Sequence, residues 1–317
     1  MLVVRQFSTW ITLLMIFLSR LPFIGIGYGS EEDAWGLRLT AEKIYRSGLY
    51  EVSRLPGHPF QELLYSQLWQ YGPICFNLLT LIISTAGIAF FIFSLKKLNI
   101  SSYNTAGIAL AFTPVIYINS MNAMDYTWAM AFVLIAFYFL ISCRMILAGI
   151  FLGCAIGCRI TSGAMLIPFI YYVFANREKN NILRELVLVS ISTLLIACLL
   201  FTPVFFVYGF GFFTYYEHFE IPSFTKNFYK GTLGAWGLIG FVILMFALGA
   251  SIFTIFKNSK TKDIYNKRML IFSAFVLLLY TIAFCRLPLK SAFLIISKSS
   301  RVRAIFSTSS LNDLNFM

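Results

Sequence analysis

Charge is what this chain has little of. Only 12% of its 317 residues are Asp, Glu, Lys or Arg, where a soluble domain carries about 25%. Hydrophobic types make up 59%, and mean hydropathy is +0.79. That balance excludes an ordinary soluble domain and implies a polytopic membrane protein. Acids are scarcer than bases, 13 against 25. A basic excess can mark a nucleic-acid binder, but here the bases sit in short clusters between apolar runs. That is the pattern of membrane topology, so no nucleic-acid partner is expected. Fixed-period repeats are also lacking. The six cysteines (Cys75, Cys143, Cys154, Cys158, Cys198, Cys285) fall within or at the ends of apolar segments. They read as small apolar fillers rather than disulfides or zinc ligands. Cys154 and Cys158 have helical spacing, but no His or second Cys pair accompanies them.

What is present is a series of apolar runs. They lie at 7–27, 72–94, 103–119, 127–143, 145–158 with 161–175, 182–208, 233–256 and 269–287. The expected fold is an all-α transmembrane bundle of about nine spans, a single domain over residues 1–290 with a polar tail at 291–317. The pair around Cys158-Arg159 reads either as one long helix or as a hairpin. The first run lacks a small-x-small cleavage site and is broken by Arg20 and Pro22, so it reads as an uncleaved anchor.

Orientation follows from the bases. Arg5, Lys96, Lys97, Arg144, Arg177, Lys179, Arg184, Lys257, Lys260, Lys262, Lys267 and Arg268 share one set of loops, which should be cytoplasmic. The other set, 28–71, 120–126 and 209–232, holds nine of the 13 acids and should face outward. With 145–175 as a hairpin, the alternation closes up to the last run. The serine-rich basic tail after Pro288 then falls outside, against the positive-inside rule, as expected either of a shortened or altered C-terminus or of a disordered natural tail.

Six acids crowd into the first outer loop: Glu31, Glu32, Asp33, Glu42, Glu51 and Glu62. Ser30 with Asp33 three residues on resembles a capping box. Ala34, Leu37, Ala41 and Ile44 make one helical face, and Gly48 supplies the C-cap. Leu55-Pro56-Gly57-His58-Pro59 is a turn. A second amphipathic helix is expected over Phe60–Gln70, with Phe60, Leu63, Leu64 and Trp69 near its apolar face. Both helices should lie along the membrane surface. Negative charge at a helix start contributes about 0.3–1 kcal/mol, so capping and catalysis both fit these acids. Arg54 and His58 read equally as solvated loop residues.

Asp125 lies in the second outer turn, where it could cap the next span. Arg159 is a lone charge within Gly153-Cys154-Ala155-Ile156-Gly157-Cys158-Arg159-Ile160-Thr161. At membrane depth such a charge costs roughly 2.5–3.5 kcal/mol and usually faces a polar cavity; at a hairpin tip the cost falls. Arg286 and Lys290 flank Leu287-Pro288-Leu289, where they could simply anchor the last span. All these groups fall on one side of the membrane. Carboxylates there could activate an acceptor hydroxyl, and cations could bind a phosphate.

These passages resemble the GT-C superfamily of membrane glycosyltransferases, most closely the branch of protein O-mannosyltransferases and lipid A aminoarabinose transferases. The likeness rests on Glu31-Glu32-Asp33-Ala34-Trp35, on Ser47-Gly48-Leu49-Tyr50 leading to Arg54-Leu55-Pro56-Gly57-His58-Pro59, on Asp125-Tyr126, and on Gly153 through Thr161. It covers roughly residues 7–175. The resemblance implies transfer of a sugar, with inversion, from a polyprenyl-phosphate donor to a lipid, glycan or protein acceptor. The implied location is the plasma (inner) membrane, with the active site outward. Asp33 takes the catalytic place, and Glu32, Arg54, His58, Asp125, Arg159, Arg286 and Lys290 the substrate-binding places. The family often has Asp-Glu where this chain has Asp33-Ala34. That leaves Glu32 as the partner for a divalent metal ion, the one cofactor the resemblance brings in. Family members generally carry more spans after the ninth, so a chain lacking them would be an inactive fragment. Transporters or flippases of lipid-linked substrates are the main rival class. They usually show internal symmetry and mid-span charges, neither of which is evident here. A polysaccharide polymerase should place its dominant outer loop late, not first.

Overall fold

The computed structural model describes residues 2–29, 32–100, 102–176 and 179–211, with scattered positions between 223 and 279. The described residues are helical throughout, with no strand among them. The helices are α1 (Leu2–Leu18), α2 (Glu32–Ser47), α3 (Pro59–Leu68), α4 (Gly72–Lys97), α5 (Tyr103–Ala111), α6 (Pro114–Asn119), α7 (Asp125–Ile141), α8 (Met145–Cys158), α9 (Leu166–Asn176) and α10 (Lys179–Tyr208). Two helical stretches, Pro59–Lys97 and Asn181–Tyr208, are long and apolar enough to cross a bilayer. Thr9–Phe23, Asp125–Ile141, Met145–Cys158 and Ile160–Asn176 are apolar but shorter. The expected runs at 233–256 and 269–287, the loop at 209–232 and the tail lie almost entirely outside the described residues.

Side-chain contacts fix the helix directions. Trp10 meets Phe93, and Asn77 Nδ2 donates to the carbonyls of Ile24 and Gly27, so α1 and α4 are antiparallel. Trp128 Nε1 donates to Thr80 Oγ1 at 3.0 Å and Phe90 meets Tyr138, so α4 and α7 are parallel. Along α8, glycines recur every fourth residue against α10. A Cβ on Gly149 would fall 1.8 Å from Ser192 Oγ, one on Gly153 2.6 Å from Ile196 Cβ, and one on Gly157 2.5 Å from Leu200 Cδ1. The small-residue stripe lets the two backbones touch, as in close helix packing within membranes, and it makes α8 and α10 parallel. Between them the chain reverses at Arg159, whose extended backbone (φ −157°, ψ 111°) ends α8. A 3-10 segment, Ile160–Met165, then leads into α9. The hairpin reading of 145–175 is therefore the one the backbone follows. Loops 24–29, 48–58, 120–124 and 159–160 gather at one end, and loops 98–100 and 142–144 at the other.

Two expectations need correction. The run at 103–119 is two helices, not one. Thr113 precedes Pro114 and is held extended (ψ 123°), because a proline disfavours helical geometry in the residue before it. Arg20 occupies that break. It is fully buried and donates to Ala111 O at 2.5 Å, Ile16 O at 2.7 Å and Ser120 Oγ at 2.7 Å, with its guanidinium 4.5 Å from the Tyr117 ring centroid. It satisfies the open carbonyl ends of α1 and α5; this charge holds helix ends together. The capping box expected at Ser30 falls on a residue outside those described; Asp33 bonds across the loop to Arg54. The second correction concerns α3. Its fully buried residues are Gln61, Glu62, Tyr65 and Ser66, while Phe60, Leu63 and Leu64 are only half-buried. The helix turns its polar face inward, and Phe60 and Leu64 pack against the bundle core beside it. The reason is that the polar face has partners: the loop 50–58, and Thr80 beneath Tyr65. By contrast α2 buries Ala34, Leu37, Ala41 and Ile44 as its spacing predicts, and Gly48 (φ +68°) closes it.

Candidate functional site

The gathered loops bring together five of the sequence-selected residues. α2 presents Asp33 in its first turn, and Arg54 Nη1 meets its Oδ2 at 2.5 Å. Asp125 opens α7 without making a cap hydrogen bond and is almost fully buried. Its Oδ2 accepts from Arg159 Nη1 at 3.0 Å and lies 3.8 Å from His58 Nδ1. Arg159 also lies over the Tyr126 ring, 4.2 Å from its centroid, and its Nε donates to Thr161 Oγ1 at 3.3 Å. Its lone charge therefore has a buried carboxylate to face, one carried on a helix that starts 34 residues earlier. Taking either charge out of water costs several kcal/mol, which the pairing offsets.

His58 is held more tightly by a carbonyl than by a carboxylate. Its Nδ1 is 2.7 Å from Cys158 O, the last carbonyl of α8, against 3.8 Å to Asp125. A carbonyl only accepts, so Nδ1 carries the hydrogen and the neutral ring's basic nitrogen is Nε2. That nitrogen has no hydrogen-bond partner among the described residues. His58 borders a cavity of about 30 Å³, shared with Glu32, Asp33, Gly36, Leu37, Ser53 and Arg54. The space is enough for a water or one hydroxyl group.

The loop that carries Arg54 and His58 is organised by Glu62, which sequence reasoning passed over. Glu62 is fully buried. Its Oε1 accepts from Ser53 N at 2.7 Å and Ser53 Oγ at 2.6 Å. Its Oε2 accepts from His58 N at 3.1 Å and from the Tyr50 hydroxyl. Burial first, and then the Glu62 charge, push the Tyr50 phenol well above its ordinary range. Gly57 (φ +95°) makes the tight turn between Arg54 and His58, in space where a Cβ would sit 3.0 Å from Val52 Cγ1. The available signal for Glu62 was its place four residues after His58, within reach of the open amide before Pro59.

The remaining selected residues divide. Glu32 lines the cavity beside Asp33. Arg286 and Lys290 lie outside the described residues. For a divalent metal the donor set is a poor fit: among the described residues no group of three or more His, Cys, Asp or Glu converges, and Asp33 is engaged by Arg54. Comparison with known proteins adds no relative: no family model, no curated protein and no solved structure matches the chain.

Proposed function

We propose that this chain is an integral membrane glycosyltransferase that moves a sugar from a polyprenyl-phosphate carrier to an acceptor hydroxyl, with the Asp33 end of the bundle facing outward. One observation carries the reading. Charged and titratable side chains from four separate segments, Asp33, Arg54 with His58, Asp125 and Arg159, meet at one end of an otherwise apolar bundle, and Asp33, Arg54 and His58 among them line a hydroxyl-sized space. A structural use of charge needs pairs; it does not need a cavity with an unpartnered imidazole nitrogen at its edge.

In the proposed reaction the acceptor oxygen forms a bond to the anomeric carbon while the bond from that carbon to the phosphate oxygen breaks on the opposite face. Asp33 takes the hydroxyl proton; its side chain is 29% exposed, so it reaches the space even with one oxygen on Arg54. The leaving polyprenyl phosphate keeps the bond's electron pair. Arg159 faces that developing charge with a planar, two-pronged donor, and Asp125 fixes its position.

The test uses the full chain in proteoliposomes supplied with a panel of radiolabelled undecaprenyl-phosphate sugars and a membrane extract as acceptor source. Asp33-dependent release of undecaprenyl phosphate is expected. Asp33→Asn should lose a hundredfold or more in turnover, about 10²–10⁴ being typical for an acid–base group. Arg159→Lys should both weaken donor binding and lower turnover, because Lys lacks the planar, two-pronged contact to the leaving phosphate. Failure of the wild-type protein to bind undecaprenyl phosphate, or turnover in Asp33→Asn equal to wild type, overturns the reading.

A further inference from the structure

The opposite end of the bundle holds a second polar feature that glycosyl transfer does not use. Between the α7–α8 turn and the first turns of α10 lies a groove of about 460 Å³, within the usual range of small-ligand sites. Arg144 and Arg184 stand on its walls with Asn181. Neither guanidinium group forms an ion pair or hydrogen bond with a described residue. Glu185 is the one acid on the lining. The groove also includes Met145, Ile146 and Leu147, the first turn of α8, whose start has no side-chain cap. The amides of that turn are donors without intrahelical partners, and the helix end favours negative charge. The rest of the wall is apolar, through Ile146 and Leu188. Just beyond it Leu183 and Val187 are 74% and 44% exposed.

A soluble phosphate would use the cations and gain nothing from the apolar wall. A sugar would leave both guanidinium groups unanswered. A ligand with an anionic head and an aliphatic body uses both halves, and basic grooves between helices at the membrane boundary suit lipid headgroups. We propose that this groove binds the phosphodiester headgroup of an anionic glycerophospholipid between Arg144 and Arg184, with its acyl chains along Leu183 and Val187. The inference needs the helices to lie in a bilayer and is independent of sugar transfer.

The full chain, purified in a mild non-ionic detergent, is incubated with phosphatidylglycerol or with phosphatidylcholine of the same acyl chains, and retained lipid is counted by native mass spectrometry. Preference for phosphatidylglycerol of about thirtyfold is expected, from two basic contacts. Arg144→Gln with Arg184→Gln should abolish it. Both residues are exposed and neither guanidinium is hydrogen-bonded or ion-paired with a described residue, so folding should be unaffected. Arg144→Lys with Arg184→Lys should keep most of the preference. Inorganic phosphate at the same concentration should not displace the lipid. Equal retention of the two lipids, an unchanged preference in the Gln double variant, or full displacement by inorganic phosphate would each sink the proposal, the last by making the site one for a soluble anion.

Discussion

Replacing Glu62 with Gln separates a buried carboxylate that builds the site from one that merely fills space. The two side chains are nearly the same size, so packing is kept and only the hydrogen-bonding pattern changes. Each Glu62 oxygen accepts from one backbone amide, Ser53 N on Oε1 and His58 N on Oε2. The hydroxyls of Ser53 and Tyr50 can rotate, but backbone amides cannot. Whichever way the Gln amide is turned, its NH₂ faces one of those two N–H groups. At least one charge-assisted hydrogen bond is lost, about 1.5–3 kcal/mol, and a donor is set against a donor. The loss falls on a surface-adjacent loop that can open without unfolding the bundle. Hydrogen exchange should therefore report it as faster exchange at Ser53 and His58, by about 10–150-fold for that energy range, while α7 and α8 amides stay unchanged. Glu42→Gln is the control. Glu42 pairs with Arg38 and Arg46 at a partly exposed position, where such pairs contribute about 0.3–0.5 kcal/mol each. Its loss should leave the 50–58 loop as it was. Exchange at Ser53 and His58 within about threefold of wild type in Glu62→Gln would refute the argument, since it corresponds to less than half the smallest loss expected.

Other outcomes follow from the same geometry. Asp125→Ala should destabilise the fold by about 3 kcal/mol or less, because breaking a fully buried pair costs about 3–5 kcal/mol and Arg159 keeps 24% exposure. A double-mutant cycle with Arg159→Met should return part of that loss, and strict additivity would show that the pair is not coupled. Gly149→Ala should cost about 1–3 kcal/mol in thermal unfolding by wedging α8 off α10, whereas Gly163→Ala, with its nearest neighbour atom 3.7 Å away, should be near neutral. Tyr50 stays protonated in the folded chain to higher pH than in the unfolded one. Its contribution is full below about pH 10, the unfolded value, and is lost as pH rises toward the higher folded value. Tyr50→Phe should flatten that alkaline decline; an unchanged pH profile would contradict the burial argument. An impermeant maleimide applied to intact cells should label Ser47→Cys but not the exposed native Cys143 at the other end, the remaining cysteines having been replaced. The reverse pattern would invert the proposed orientation.

The sequence by itself determined the all-helical character of the described residues and the place of most of their helices. Hydropathy and the period of Ala34, Leu37, Ala41 and Ile44 are properties of consecutive residues, and so is the break at Gly48. The clustering of acids between Glu31 and Glu62 likewise needed no structure to be seen. Partnership did need one. Nothing local distinguishes Arg20, which ties two helix ends together through carbonyls, from Arg159, which faces a buried aspartate. Both are single cations beside apolar runs. The inward polar face of α3 was misread for the same reason: period locates a face, but a face of Gln61, Glu62, Tyr65 and Ser66 points inward only if another segment brings donors and acceptors to it. That segment is the turn at 50–58, and its own shape depends on Glu62. The tautomer of His58 depends on a carbonyl 100 residues away. Long-range pairing of this kind is set by where the helices return to the same end of the bundle, and the close glycine-lined contact of α8 with α10 decides that registry.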